Sequence, residues 1–186
     1  MIANERISQM QILQSLFEHV PSTFETFRPL LFQALLVSDG PILELGMGDG
    51  STPLLNVVSS YCNRRIHSFE HDEMWAIRFG HLKSRRHRIK HISSYDECPI
   101  ESALWDVALV DHAPVERRIV DIERLRRYAR LIVVHDTESE NYGYEPLLSS
   151  FRWRKDDTSR VPHTTIVSDS VDVDLVFRNV AVGSRP

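Results

Sequence analysis

Residues able to do chemistry fall at short, ordered spacings in this 186-residue sequence. Ile42-Leu43-Glu44-Leu45-Gly46-Met47-Gly48-Asp49-Gly50-Ser51-Thr52-Pro53 runs from an apolar stretch through three alternating glycines to a proline suited to a first helical turn. Glycines there let the backbone turn sharply and let a ligand approach without Cβ clashes. The exposed amides of the helix start favour an anionic or polar group. A tight strand-to-helix turn without any ligand would look the same. Glu70 lies 20 positions after Gly50, at the end of a second apolar run. In open parallel sheets a carboxylate at that distance receives ribose hydroxyls, because one carboxylate accepts two hydrogen bonds. Alone, Glu70 could equally be a loop charge or cap a helix with Asp72; loop and carboxylate together point to a nucleoside-containing ligand.

Two further clusters pair a carboxylate with an imidazole: Asp111-His112, followed by Ala113-Pro114, and His135-Asp136, followed by Thr137-Glu138. Each follows an apolar run, and side chains at the carboxyl ends of parallel strands face the ligand crevice. His112 or His135 could serve as a general base, since an imidazole titrates near neutrality. Alternatively Asp111 and Asp136, with His135, could hold a divalent metal that orients a diol and lowers its pKa. The plain structural reading is that both aspartates cap loops. The run Asp136–Pro146 carries Tyr142, Gly143 and Tyr144, either as a lid over an acceptor or as packing residues.

Around these residues the apolar periodicity divides the chain. Steps of three and four over Glu5–Val20 predict an amphipathic helix ended by Pro21. Ser22 and Glu25 have capping-box spacing and open a second helix, split or kinked at Pro29. Strands are expected at Ile42–Leu45, Arg65–Glu70, Arg88–Ile92, Asp106–Val110 and Leu131–Val134. Helices are expected near Thr52–Tyr61, Asp72–Lys83 and Pro114–Tyr128. The tail predicts strands at Ser150–Arg154, Thr164–Val167 and Asp172–Phe177, an antiparallel closure. The sum is an α/β fold with a doubly wound, mostly parallel sheet, a helical cap over 1–38 and a core over 39–180 in one domain.

Composition narrows the function classes. A formal net charge of -4 argues against a dedicated nucleic-acid binder. The stretch Lys83–His91 is basic, and reads as a solvated helix end rather than an anion site. Cys62 and Cys98 form no CxxC pair, which excludes a disulfide scaffold or zinc knuckle. Neither a signal peptide nor a run of membrane-spanning length is recognised, so a cytoplasmic protein is expected.

The glycine spacing is G-x-G-x-G, not the G-x-x-G ending of dinucleotide sites, and Glu44 stands two positions before the first glycine. This E-L-G-x-G-x-G-S run, the acidic end of the second strand and Trp105-Asp106-Val107-Ala108-Leu109-Val110-Asp111 as the fourth resemble class I S-adenosylmethionine-dependent methyltransferases. Leu131-Ile132-Val133-Val134-His135-Asp136-Thr137 is similar to the fifth strand of small O-methyltransferases. The resemblance implies a Rossmann-like fold and S-adenosylmethionine as cofactor. It implies that Glu44, Gly46, Gly48, Gly50 and Ser51 hold the methionine end and that Glu70 takes the ribose. Ser93, Ser94, Tyr95 and Asp96 would lie beside the adenine, and Asp111 is a further cofactor-binding candidate. Methyl transfer to a hydroxyl of a small polar molecule follows, with His112, His135 and Asp111 as catalytic candidates and Mg2+ at Asp111 and Asp136 as an option. The chain departs from the catechol-type pattern: no lysine follows Asp111, and His135-Asp136 replaces an Asp-Asn or Asp-Asp pair. A homodimer could complete the acceptor pocket. Two rival readings share the architecture: a nucleotide-dependent oxidoreductase, and a non-catalytic methyltransferase-like binding protein.

Overall fold

A computed structural model describes residues 11–18, 22–175 and 177 of the chain. In order, it contains helix α1 (11–18), α2 (Arg28–Leu36), strand β1 (Ile42–Leu45), α3 (Thr52–Tyr61), β2 (Ile66–Glu70), α4 (Glu73–Phe79) and β3 (His87–His91). Then come β4 (Trp105–Val110), α5 (Val115–Leu125), β5 (Ala129–His135), α6 (Glu145–Leu148), β6 (Trp153–Asp157) and β7 (Thr164–Ser168). The strands form one seven-stranded sheet in the order β3-β2-β1-β4-β5-β7-β6. The first five are mutually parallel; β7 runs antiparallel to β5, and β6 antiparallel to β7. Strand order reverses between β1 and β4, the switch point where open parallel sheets bind ligands.

The period of two along each strand sorts its side chains into two layers. Ile42, Ile66, Val107, Leu109, Leu131, Val133 and Ile166 face Leu13, Phe17, Leu31 and Val58 of α1, α2 and α3. Leu43, Leu45, Ala108, Val110, Ile132 and Val134 face Ile122 and Leu125 of α5 and Leu148 of α6. Both faces are covered, so the central strands read as nearly continuous apolar runs. No helix among the described residues is long and apolar enough to cross a membrane.

The departures from expectation are local. Ser22 makes no side-chain cap bond; Thr23–Glu25 is a single 3-10 turn, and Pro29 sits in the first turn of α2 rather than inside a longer helix. Residues 5–10 and 19–21 of the first expected helix lie outside the described residues. α4 gives way to a 3-10 turn at Gly80–Leu82, and α5 stops at Leu125. β6 begins at Trp153, three residues late, because Arg126 holds the Ser150 hydroxyl and carbonyl in a turn. The expected strand at 172–177 is instead helical at 173–175. There the Asp172 carboxylate accepts the Leu175 N–H (2.9 Å), and Val173 and Phe177, four apart, are both buried.

The basic stretch is also relocated. It forms a turn and then β3, the sheet's edge, where Arg88 and Lys90 point to solvent. Charges on an edge strand discourage pairing with another chain. Arg88→Val with Lys90→Val is therefore expected to leave the thermal midpoint within a few degrees but to cause concentration-dependent association. Light scattering over a concentration series checks this; a variant that stayed dispersed would remove the edge-protection account.

Candidate functional site

The glycine loop is shaped by one close approach. Gly46 has φ +91°, and a Cβ there would fall 2.6 Å from the main chain of Asp111 and His112. The turn leaving β1 thus rests directly on the end of β4. Two residues on, a Cβ at Gly48 would meet only the Ser51 hydroxyl, at 3.7 Å, so the loop faces open space there. Gly50 lies beneath Glu25 of the N-terminal segment.

Glu44 and Glu70 flank this loop. Thr52 Oγ1 accepts the Gly48 N–H (3.1 Å) and donates to Glu44 Oε1 (3.0 Å), tying strand, loop and helix through one hydroxyl. Glu44 is fully buried, and burial pushes its carboxyl up to about 7, against the pull of the nearby Ser51, Ser68 and Thr52 hydroxyls. Behind it His87, held by Ser68 and Asn56, is driven down to about 4, first by burial and then by His67. Glu70 Oε2 accepts the Met47 N–H, and Oε1 accepts those of His71 and Asp72, each at 2.8 Å. The carboxylate at the end of β2 therefore clasps the glycine loop; Oε1 also lies 3.0 Å from His71 Nδ1, so it is Oε2 that keeps further acceptor capacity.

At the adjoining strand ends, Asp111, His135 and Asp136 each offer a ligand atom, all within 4.8 Å of one another. His135 Nδ1 lies 3.2 Å from Asp111 Oδ1 and 3.5 Å from Asp136 Oδ1. On its other side Nε2 is 2.9 Å from Thr26 Oγ1, whose own proton goes to the Pro162 carbonyl (2.6 Å). Thr26 must then accept from Nε2–H, which leaves Nδ1 to face the carboxylates. Burial opposes charge on this ring, but Asp111 and Asp136 outweigh it, and the pKa is raised. Asp136 adopts φ +58°, a left-handed conformation an aspartate tolerates, and its carboxylate lies beside His135.

Arg118 of α5 joins these groups. Its guanidinium reaches Asp111 Oδ1 (3.2 Å), Asp136 Oδ2 (3.1 Å) and the carbonyls of His112 and His135. The two imidazoles do not converge, although both follow strand ends that the sequence places at the ligand crevice. Strand alternation turns His135 toward Thr26 and Phe27, whereas His112 lies on the other layer, stacked on Tyr95 at 3.9 Å between ring centroids. Burial holds the His112 pKa below its ordinary value, against the attraction of Asp121 3.2 Å away. Tyr95 also lies near His71, with centroids 5.7 Å apart. Ser94 caps the short turn Tyr95–Glu97 by accepting the Asp96 N–H, and Ser93 donates to Glu97. Ser51 occupies the N-cap position of α3. Tyr144 is buried against α5 and α6, and Gly143 takes φ +67°, so the 136–146 run is packed at Tyr144 rather than standing open.

Sequence reading missed Arg118, Thr26, Glu25 and Thr52. Arg118 and Asp121 share the buried face of α5 with Ile122 and Leu125, and that spacing of charges within an apolar stripe was the available signal. Thr26 and Glu25 carry no comparable mark.

No family model and no curated protein sequence matches the chain. Solved structures do. Human methyltransferase-like protein 13 in complex with SAH superposes with a TM-score of 0.58 at 14% identity, over 87% of this chain and 94% of that one. A methyltransferase from Pyrococcus furiosus gives 0.56 at 14% identity, over 91% and 98%. Precorrin-6y C5,15-methyltransferase from Geobacter metallireducens GS-15 gives 0.55 at 12%, over 77% and 87%. Likenesses at such low identity concern the fold: this chain has the Rossmann-like fold of class I methyltransferases.

Gly46→Ala should cost about 2 kcal/mol or more, because it strains φ and meets backbone, while Gly48→Ala should stay within about 1 kcal/mol. Urea unfolding distinguishes them, and equal costs would refute the close-approach account. For Glu44, a raised folded pKa means that the folded state holds the extra proton between about 4.5 and 7. Stability is therefore lost as pH rises through that window. Relative to wild type, Glu44→Gln should gain roughly 3 kcal/mol between pH 5 and pH 8. A pH-independent difference in unfolding free energy would contradict it.

Proposed function

We propose that this chain transfers a methyl group from S-adenosylmethionine to a hydroxyl of a small polar molecule. The observation that carries the reading is the juxtaposition at the sheet's switch point. A glycine loop open at Gly48, between Glu44 and Glu70, adjoins an acid–imidazole cluster made of Asp111, His135 and Asp136. The first half suits a nucleoside bearing an amino-acid tail. The second suits a hydroxyl that must lose a proton.

In this reading the methionine end lies over Gly46–Gly50, the ribose at Glu70, and the adenine near Tyr95, which His71 and His112 flank. The sulfonium makes the methyl carbon electrophilic. An acceptor oxygen attacks that carbon in line, the carbon–sulfur bond breaks, and its electron pair stays on sulfur. The partly exposed Asp111 and Asp136 carboxylates orient the hydroxyl. Its proton passes to the Asp111–His135 pair, where Thr26 fixes the ring through Nε2. His112, buried behind Tyr95, acts by positioning that ring and not as the base.

Asp111, His135 Nδ1 and Asp136 also fit a divalent cation in donor chemistry, and the Nε2–H bond to Thr26 is the outer partner that a metal-bound imidazole needs. With an imidazole in the set, a transition-metal ion suits it better than Mg2+, which prefers oxygens. When bound, such an ion would orient a diol and lower its pKa. A metal-free version has its own observation: Arg118 already supplies positive charge to both carboxylates.

The test is transfer of labelled methyl from S-adenosylmethionine to a panel of diols and polyols, with and without a chelator. His135→Gln is expected to lower kcat by about a hundredfold or more while leaving cofactor affinity within about threefold. Chelation that abolishes turnover selects the metal version; unchanged turnover selects the Arg118 version. Tight cofactor binding with no transfer to any acceptor would overturn the enzymatic reading.

A further inference from the structure

We infer that the basic edge of the sheet docks the phosphate backbone of a single nucleic-acid strand; this surface is separate from the switch-point site and does not depend on the cofactor reading. Its cations are Arg65, Lys83, Arg85, Arg86, Arg88 and Lys90, all exposed. None of them makes a side-chain hydrogen bond or an ion pair with another described residue. By contrast Arg78, Arg117, Arg124, Arg126 and Arg154, which solvent also reaches, each bind a carboxylate. Positive charge is thus left uncompensated along one edge, and the net charge of -4 averages over that segregation.

The fold holds these side chains in a row. β3 pairs only with β2 and forms the sheet's edge. His87, bonded to Ser68 and Asn56, and Ile89, packed with Met47 and Phe79, anchor one face of the strand. Alternation then sends Arg88 and Lys90 to the opposite face, in register with His67 and Phe69. Arg86 lies two residues before Arg88, and its carbonyl accepts the N–H of Ile66, the neighbour of Arg65. Ser84 Oγ accepts the N–H groups of Arg86 and His87, which fixes the turn that carries Lys83 and Arg85. Cations at every second residue of an extended strand recur about every 6.6 Å, close to the interval between successive phosphates of one nucleic-acid strand. Like charges held side by side repel, and a polyanion laid along the row relieves that repulsion. Guanidinium groups, four of the six, match phosphate oxygens bidentately. The run 83–91 contains no aromatic residue, so contact is to the backbone and not to the bases. Its one large aliphatic side chain, Ile89, is buried, so nothing apolar stands ready to enter a lipid bilayer.

Fluorescence anisotropy of a labelled oligouridylate, titrated without cofactor over a salt series, reads this directly. Contact with about four phosphates gives a slope of log affinity against log salt of about -3 in the wild type. Arg88→Glu with Lys90→Glu keeps the edge charged; it should weaken binding at least about tenfold and roughly halve that slope. Arg127→Glu with Arg160→Glu changes the net charge equally, at exposed cations in the α5–β5 and β6–β7 connections. That control should stay within about threefold of the wild type. Equal weakening by the two variants, or a wild-type slope near zero, overturns the inference. Displacement of the oligonucleotide by polyglutamate as readily as by unlabelled strand also overturns it, and assigns the edge to an acidic protein. If the edge variant does not fold, the wild-type slope and the competition still decide. With no cofactor in the titration, each of these outcomes leaves the cofactor reading as it stands.

Discussion

One buried guanidinium organises the end of the sheet. Arg118 leaves α5 and satisfies its donors on Asp111, Asp136 and the carbonyls of His112 and His135, spanning the ends of β4 and β5. A charge this deep persists only when paired and hydrogen-bonded on several sides. Its positive charge lies against two carboxylates that stand beside one imidazole. It also ties α5 to the strands that α5 connects. The acid–imidazole cluster is thus held by the crossover helix itself rather than by mobile loops.

A second constraint is the contact of Gly46 with the chain at Asp111 and His112. It brings the glycine loop against the foot of the cluster. Glu70 reinforces the arrangement by accepting three backbone N–H groups, one from the loop and two from the start of the next connection. Loop, carboxylate and cluster adjoin because the ends of four strands, β1, β2, β4 and β5, lie side by side there, not because any single element carries them. The cost is visible in Glu44, whose raised pKa records a carboxyl placed where solvation is poor. Groups perturbed in this way concentrate where chemistry is done.

The sequence was legible wherever period and punctuation are local. Alternation and three-to-four spacing placed all five parallel strands within about two residues and matched α3 end to end. Glycine spacing and the distance to Glu70 located the loop and its carboxylate. What was not legible depends on the third dimension. Asp172 competes with strand backbone for hydrogen bonds, so a β-looking run became a helical turn. Asp111, His135 and Asp136 do meet, yet His112 is carried to the opposite layer by the one-residue step that alternates strand side chains. Arg118 sat unremarked in an apolar stripe, and Glu25 and Thr26 reach the site only because the N-terminal segment folds over it.

On the proposed reading, the glycine loop and Glu70 form a site for S-adenosylmethionine. An equilibrium titration of that cofactor into wild-type protein and Glu70→Ala, with NAD as the control ligand, tests it most directly. Micromolar binding to the wild type, weakened at least about tenfold in Glu70→Ala and absent for NAD, is the predicted result. NAD binding without S-adenosylmethionine binding, or affinity indifferent to Glu70, would contradict it.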